Sequence, residues 1–186
     1  MKKTLIMLSA IAMLGGCAGR PSNYLVLSPD TPAVSASAHG SLALRTDDAR
    51  NNQTAVLITT NDDAKKTYTM GEPPAEVLGE VFRKAFSRAG YDLDPGASNS
   101  LEIKIERLQS NIKESMLGYE ASNEIVISTY ARNQQQIFTK RYNIRGTMKG
   151  PMSLDLATLE LELNKLLTKL AGDIVNDGEL HQFLSR

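Results

Sequence analysis

Few residues of this 186-residue chain belong to types that do chemistry, and their spacing limits what they can do. The two histidines, His39 and His181, lie near opposite ends of the sequence. A metal or acid–base site built on histidine needs partners within reach. Neither position offers one nearby, so both read as exposed or capping side chains. Asp47-Asp48 and Asp62-Asp63 are paired carboxylates beside polar turns. A calcium loop spaces its ligands as D-x-[DN]-x-[DN]-G; that spacing is absent, and solvated turn acids are the simpler account. No G-x-S-x-G nucleophile elbow and no glycine-rich phosphate loop occur. With no Trp, six Tyr and four Phe, no stacking platform for sugars or bases is evident. The residue types therefore predict a non-enzyme, with no catalytic, cofactor-binding or metal-binding residues.

One residue remains, and its setting is distinctive. Cys17 is the single cysteine, in the stretch Leu14-Gly15-Gly16-Cys17-Ala18-Gly19. Ahead of it, Lys2 and Lys3 are followed by an uncharged run from Thr4 to Leu14. That run is too short for a spanning helix, which needs about 20 residues, and fits the apolar core of a secretory signal. The end of the run resembles the bacterial lipobox, in which the thiol takes a diacylglycerol and the chain is cut just before the Cys. Residues 1–16 are thus expected to be a lipoprotein signal peptide, and Cys17 the lipidated first residue of the mature chain. Several acyl chains on one residue make a stable anchor, since each buried CH₂ contributes about 0.8 kcal/mol. Ala18 stands where an Asp would favour inner-membrane retention, so the expected address is the outer membrane of a Gram-negative bacterium, with the domain in the periplasm.

Losing residues 1–16, and with them Lys2 and Lys3, leaves 170 residues with 19 basic and 21 acidic side chains. No basic excess remains to track phosphates, which argues against a nucleic-acid partner. Without a second thiol, no intrachain disulfide can form, and the core alone must hold the fold.

Composition divides the mature chain in two. Residues 17–40, rich in Ser, Pro, Ala and Gly, read as a lipidated N-terminus and flexible tether, interrupted by the apolar Tyr24-Leu25-Val26-Leu27, which suits either an edge strand or a sticky linker. Residues 41–186 read as one periplasmic α+β domain. Leu42 and Leu44 alternate, and Ala55 to Thr59 is a compact β-rich run. Pro74 to Ala89 carries Val77, Leu78, Val81, Phe82, Ala85 and Phe86 as one helical stripe, stopped by Gly90 with Tyr91 packing back. Leu101, Ile103 and Ile105 alternate with charged residues, and strands follow around Glu124–Tyr130 and Ile137–Thr147. Asn133-Gln134-Gln135 joins the last two as a hairpin turn. A second helix follows Ser153, a candidate N-cap, with a leucine seam from Leu156 to Leu170 and with Leu154, Leu161 and Leu167 off the stripe as candidates for an exposed apolar patch. The expected architecture is an antiparallel sheet of about five strands with two amphipathic helices on one face.

The signal end, the tether, the helix ending in Ser87–Leu93 (SRAGYDL), the strand Leu101–Leu108 (LEIKIERL), the segment Lys140–Gly146 (KRYNIRG) and the close Asp173–Leu184 (DIVNDGELHQFL) together resemble the YajG-type bacterial outer-membrane lipoproteins. That resemblance implies an uncharacterised family with no catalytic residues to carry over and a link to cell-wall metabolism by association only. It makes the leading expectation a non-enzymatic envelope lipoprotein that binds an envelope protein or cell-wall partner in the periplasm. The lipoprotein auxiliary subunits of lipid-trafficking ABC systems have a similar plan and stand as the alternative. A cell-wall hydrolase is a third, weaker reading.

Overall fold

A computed structural model describes residues 24–60, 65–134 and 136–185. In chain order the elements are β1 (Tyr24–Leu25), β2 (Ser41–Asp48), β3 (Val56–Thr59), β4 (Lys65–Met70), α1 (Pro74–Arg88), β5 (Asp92–Leu93), β6 (Ser100–Ser115), β7 (Gly118–Arg132), β8 (Ile137–Gly150), α2 (Leu156–Val175) and α3 (Gly178–Leu184).

The α+β class expected from the sequence is present, but the sheet is larger than five strands and is mixed. All eight strands join one sheet. β6, β7 and β8 pair antiparallel, as expected where only short turns connect neighbours. The other half departs from the expectation. β2 and β3 lie end to end along the same edge of β6, both parallel to it: Ala43 to Asp48 face Ser100 to Ile105, and Val56 to Thr59 face Ser110 to Lys113. Parallel pairing needs a crossover, and α1, lying between β2–β4 and β6 in the chain, supplies one. Alternation within a strand reports its buried face and not the direction of its neighbour. β4, which only Tyr68 buries deeply, was not expected as a strand; it pairs antiparallel with β3 and carries β1 on its far side, in parallel.

β6 is longer than its alternating run. Leu101, Ile103 and Ile105 point inward, a bulge falls at Glu106, and Leu108, Ser110 and Ile112 continue inward on the opposite parity. One extra residue in a strand shifts the side-chain phase by one. The bulge thus keeps apolar residues on one face over the whole 16-residue strand.

α1 and α2 cover that face and touch each other. Phe82, Phe86, Leu159 and Ile174 are fully buried among the inward residues of β2, β6 and β7. Gly90 ends α1 at φ +108°, and the Tyr91 N–H returns to the Phe86 carbonyl at 3.2 Å, closing a left-handed cap. α2 is capped by Asp155, whose carboxylate accepts from Thr158 N at 3.2 Å, and not by Ser153. Of the off-stripe leucines, Leu161 is exposed, whereas Leu154 and Leu167 are buried. The expected tail is a third helix, α3, which buries Leu180, Phe183 and Leu184.

The segment read as a flexible tether is, from Tyr24 onward, laid against the domain. Leu25, Leu27, Pro29 and Pro32 are buried, as is Ala38, while Val34 and Ala36 are partly buried. Polar side chains of α2 fasten this strap. Glu160 accepts from Val26 N at 2.7 Å, and Asn164 accepts from Ser28 N at 2.9 Å. Asn176 does more: its oxygen accepts from Ser35 N at 2.7 Å, and its amide nitrogen donates to Ala33 O at 3.0 Å. At the far end Ala38 N donates to Ala89 O at 2.7 Å, beside Gly90, where a Cβ would stand 2.3 Å from the Ala38 carbonyl. Composition misjudged this stretch because Ser, Pro and Ala outweigh its few apolar anchors, and helix side chains supply the backbone partners. The signal peptide, Cys17 and the rest of 17–23 lie outside the described residues.

Candidate functional site

The largest cavity lies at one end of the sheet. Its walls are chain connections that the strand register brings level: the approach to β2 (His39, Gly40), the approach to β6 (Ser98, Asn99), the β7–β8 turn (Asn133 to Gln136) and the end of α3 (His181 to Ser185). Ala43, Ser100, Arg132 and Ile137 stand side by side across four strands just inside it. The cleft encloses about 990 Å³. Gln135 lies outside the described residues, but the turn itself is visible: Asn133 N donates to Gln136 O at 3.2 Å, and Gln136 N to the Asn133 side-chain oxygen at 2.9 Å.

Two asparagines brace the floor. Asn99 donates to Leu184 O at 2.8 Å and Asn133 to Phe183 O at 3.4 Å, satisfying carbonyls that the end of α3 leaves open. His181 is also committed. Its Nδ1 lies 2.9 Å from the Tyr91 hydroxyl, and its Nε2 lies 2.7 Å from Val175 O. A carbonyl only accepts, so Nε2 carries a proton and donates it to Val175 O. Burial pushes the Tyr91 phenol up to about 12, which keeps it a donor at neutral pH. The two rings stack 5.6 Å apart. His181 is therefore a doubly bonded wall residue whose Nε2 caps the end of α2 at Val175 O. His39 sits exposed on the rim of the same cleft. The fold thus brings together two histidines that are 142 positions apart, which sequence reading had kept separate.

The lining is mostly polar, with Ala38 and Leu184 among it. Among the described residues it presents serine hydroxyls, asparagine and glutamine amides, two imidazoles and the Tyr91 phenol, without one Asp, Glu, Lys or Arg. Such a surface donates and accepts hydrogen bonds to neutral groups. It holds no carboxylate pair for acid–base work.

The paired acids take structural roles. Asp47 accepts from Arg45 at 2.8 Å. Asp48 holds the buried Arg50 guanidinium through two bonds of 2.8 Å, in the loop that fills the gap between β2 and β3 on the β6 edge. Arg50's hydrogen bond holds the Asp48 carboxyl below its usual range against the opposing effect of burial. Asp62 and Asp63 lie outside the described residues. Asn52 is a turn residue whose side chain accepts from Thr54 N at 2.9 Å. Among the described residues, no group of three or more His, Cys, Asp and Glu is placed to hold a metal ion.

The polar outer face of the sheet is laced by ion pairs. Glu106 accepts from Ser128 at 2.6 Å and from Arg141 at 2.8 Å, and both bonds lower its carboxyl. Glu124 sits between Arg145 (2.7 Å) and Arg107 (2.5 Å) and is lowered in the same way. The face that looked merely solvated in sequence is internally neutralised. Behind the cleft, Asp177 caps α3 by accepting from Glu179 N at 2.9 Å and also holds Lys140 (2.7 Å) and the Tyr142 hydroxyl (2.5 Å). Burial alone would raise this carboxyl; the hydrogen bonds outweigh it and hold it low. Tyr142 is pushed well above its usual range, first by burial and then by Asp177.

Comparison with known proteins places the chain. A family model described as "Uncharacterized lipoprotein" matches residues 28–185. The "Uncharacterized lipoprotein YajG" of Escherichia coli strain K12 is 26% identical over 190 aligned residues, covering 100% of this chain and 97% of the relative. The protein of the same name from Escherichia coli O6:H1 matches to the same extent. Neither name is enzymatic. Among solved structures, protein XCC0632 of Xanthomonas campestris superposes with a TM-score of 0.57 at 13% identity, over 88% of this chain and 95% of that one, a likeness of fold alone. No helix among the described residues is long and apolar enough to cross a membrane. The chain belongs to the YajG-type family of uncharacterised envelope lipoproteins.

Proposed function

We propose that this protein is a non-enzymatic accessory of the outer membrane, acylated on Cys17, which holds an envelope protein or cell-wall partner in its neutral cleft on the periplasmic side. One observation carries the reading: about 990 Å³ of cleft lined mostly by amides, hydroxyls and rings, without Asp, Glu, Lys or Arg, at the end of the sheet farthest from where the chain enters it. Polypeptide backbones and wall glycans are both neutral and dense in hydrogen-bonding groups, and a rigid lining of this kind suits them. A hydrolase working through paired carboxylates would need an acid and a base there, and the described lining has no Asp or Glu.

The test is photo-crosslinking in intact cells from Gln136 or Gln182 on the cleft, with Thr147 on β8 as the control. A discrete adduct from the cleft positions, absent from Thr147, supports the reading, and its mass separates protein from muropeptide. Adducts equal at all three positions, or none from the cleft, count against it. The anchor is tested apart. Cys17→Ser is expected to abolish lipid labelling and cleavage before this residue, and labelling that persists defeats the assignment.

The lipid-trafficking reading keeps one feature to stand on. A trough of about 670 Å³ crosses the outer face near Leu44, Pro95 and Ile137, though Arg45, Glu102 and Arg132 share it. Phospholipid bound after gentle extraction, detected by mass spectrometry, would favour that alternative.

A further inference from the structure

The end of the sheet opposite the cleft carries the most exposed apolar side chains of the described residues. Met116 and Leu117 form the tip of the β6–β7 hairpin and are 97% and 91% exposed. Met152 is 80% exposed and stands beside them: Gly150 pairs with Tyr119, so the chain leaving β8 reaches the level of the tip. The contact is close, for a Cβ on Gly118 would lie 2.2 Å from Gly150 O and 3.2 Å from Pro151 Cα. Met152 also adopts φ +64°, the one non-glycine in the left-handed region among the described residues. Three large apolar side chains held in water at one point, one on an unfavourable backbone, mark a surface that something covers.

The path of the N-terminal chain says what covers it. β1 runs parallel to β4, and β4 runs away from the tip, since Lys65 is level with Thr59 and hence with Lys113. The chain therefore enters Tyr24 from the tip side. Tyr24 faces Thr69, about level with Gln109 and Ser110 on β6. From Gln109 to Met116 is seven residues of strand, about 23 Å. From Cys17 back to Tyr24 is also seven residues, with a reach of at most about 25 Å. An anchor on Cys17 thus lies within reach of the plane of the tip, whereas the cleft, at Asn99, lies ten residues from Gln109 in the other direction, about 30 Å away and beyond that reach.

We propose that the β6–β7 tip enters the lipid leaflet that holds the acylated Cys17, with Met116, Leu117 and Met152 as the inserting side chains, so that the domain stands on the membrane and the cleft points away. The hairpin's nearest charges balance, with Lys149 paired to Glu120 at 3.0 Å and Lys113 next to Glu114, so apolar burial and not attraction to anionic lipid drives the contact. The orientation rests on the lipid anchor of the proposed function; the insertion can be tested without it.

The chain has no tryptophan, so Leu117→Trp installs a single reporter at the tip and Ile137→Trp one at the cleft end. Each full-length variant is purified from membranes and placed in phospholipid vesicles with and without brominated acyl chains. The expected result is blue-shifted emission, quenched by brominated lipid, from Leu117→Trp, and unshifted, unquenched emission from Ile137→Trp. Unquenched emission from Leu117→Trp in a vesicle-bound chain, or equal quenching of both, overturns the proposal. If intact mass shows no acyl group, the anchor reading fails by itself. The free Cys17 thiol is then coupled to a maleimide lipid and the same quenching read, with quenching at Leu117→Trp still upholding insertion and its absence still overturning it.

Discussion

The two ends of the long β6–β7 hairpin are built for different surroundings. One end is a tight turn that leaves Met116 and Leu117 in the open, with Met152 alongside. The other is a broad cleft where four connections converge and the described lining is mostly amides, hydroxyls and rings, with Leu184 among them and no Asp, Glu, Lys or Arg. The first end offers apolar surface to water, and the second offers hydrogen-bonding groups. Between them runs a sheet whose outer face neutralises its own charges and whose inner face is a dry core. On the function proposed above, this sheet is the spacer that keeps the tip and the cleft apart.

That separation depends on the spacer, and the spacer can be broken at its middle. Asp48→Ala leaves the Arg50 guanidinium, whose side chain is 2% exposed, without its carboxylate. The expected loss is about 3–5 kcal/mol, read as a lowered urea midpoint, and a loss within error would show that the gap between β2 and β3 does not need the pair. The same pair predicts pH dependence. Because the Asp48 carboxyl is lower in the folded state than its ordinary 3.8, its stabilisation is fully present above that value and fades as pH falls through the folded value.

The strap is the next lever. Gly90→Ala sets a side chain at φ +108° and within 2.3 Å of Ala38 O, for a cost of at least about 1–3 kcal/mol. It should release residues 24–40 to proteolysis before the rest of the domain; simultaneous cleavage throughout would mean that the strap and domain unfold as one unit.

Asp177→Asn acts on the cleft end alone. It keeps a cap for α3 but removes the charge that holds Lys140, and is expected to cost about 1–3 kcal/mol. Crosslinking yield from Gln182 should fall while vesicle insertion by the tip persists; loss of both would show that the two ends are coupled. The smallest effect has the opposite sign. The Ser110 hydroxyl is fully buried without a hydrogen-bond partner, as is the side chain of the paired Asn123. Ser110→Ala should therefore stabilise the domain by about 1 kcal/mol, raising Tm by about 2–4 °C, with neither end altered.

What was legible in the sequence is what repeats locally. The stripe of α1, its stop at Gly90, the seam of α2 and the alternation in β6, β7 and β8 all follow from the contact of neighbouring residues with one core; the helices keep bounds close to those expected, while β6 and β7 run well beyond theirs. The reading of Cys17 and its leader rests on a short contiguous run of the same local kind and stays an expectation, since residues 1–23 lie outside the described ones. The parallel seating of β2 and β3 on β6, the strap held by Glu160, Asn164 and Asn176, and the meeting of His39 with His181 were not legible. Each joins residues far apart in the chain, and periodicity records which side of an element is buried without recording what it is buried against. By itself, then, the sequence determined the α+β class, the single domain and the expected point of attachment. Tertiary structure alone decided that the tether is partly wall, that the sheet is mixed, and that apolar and neutral polar side chains collect at opposite ends, because those facts are set by which distant segments share the core.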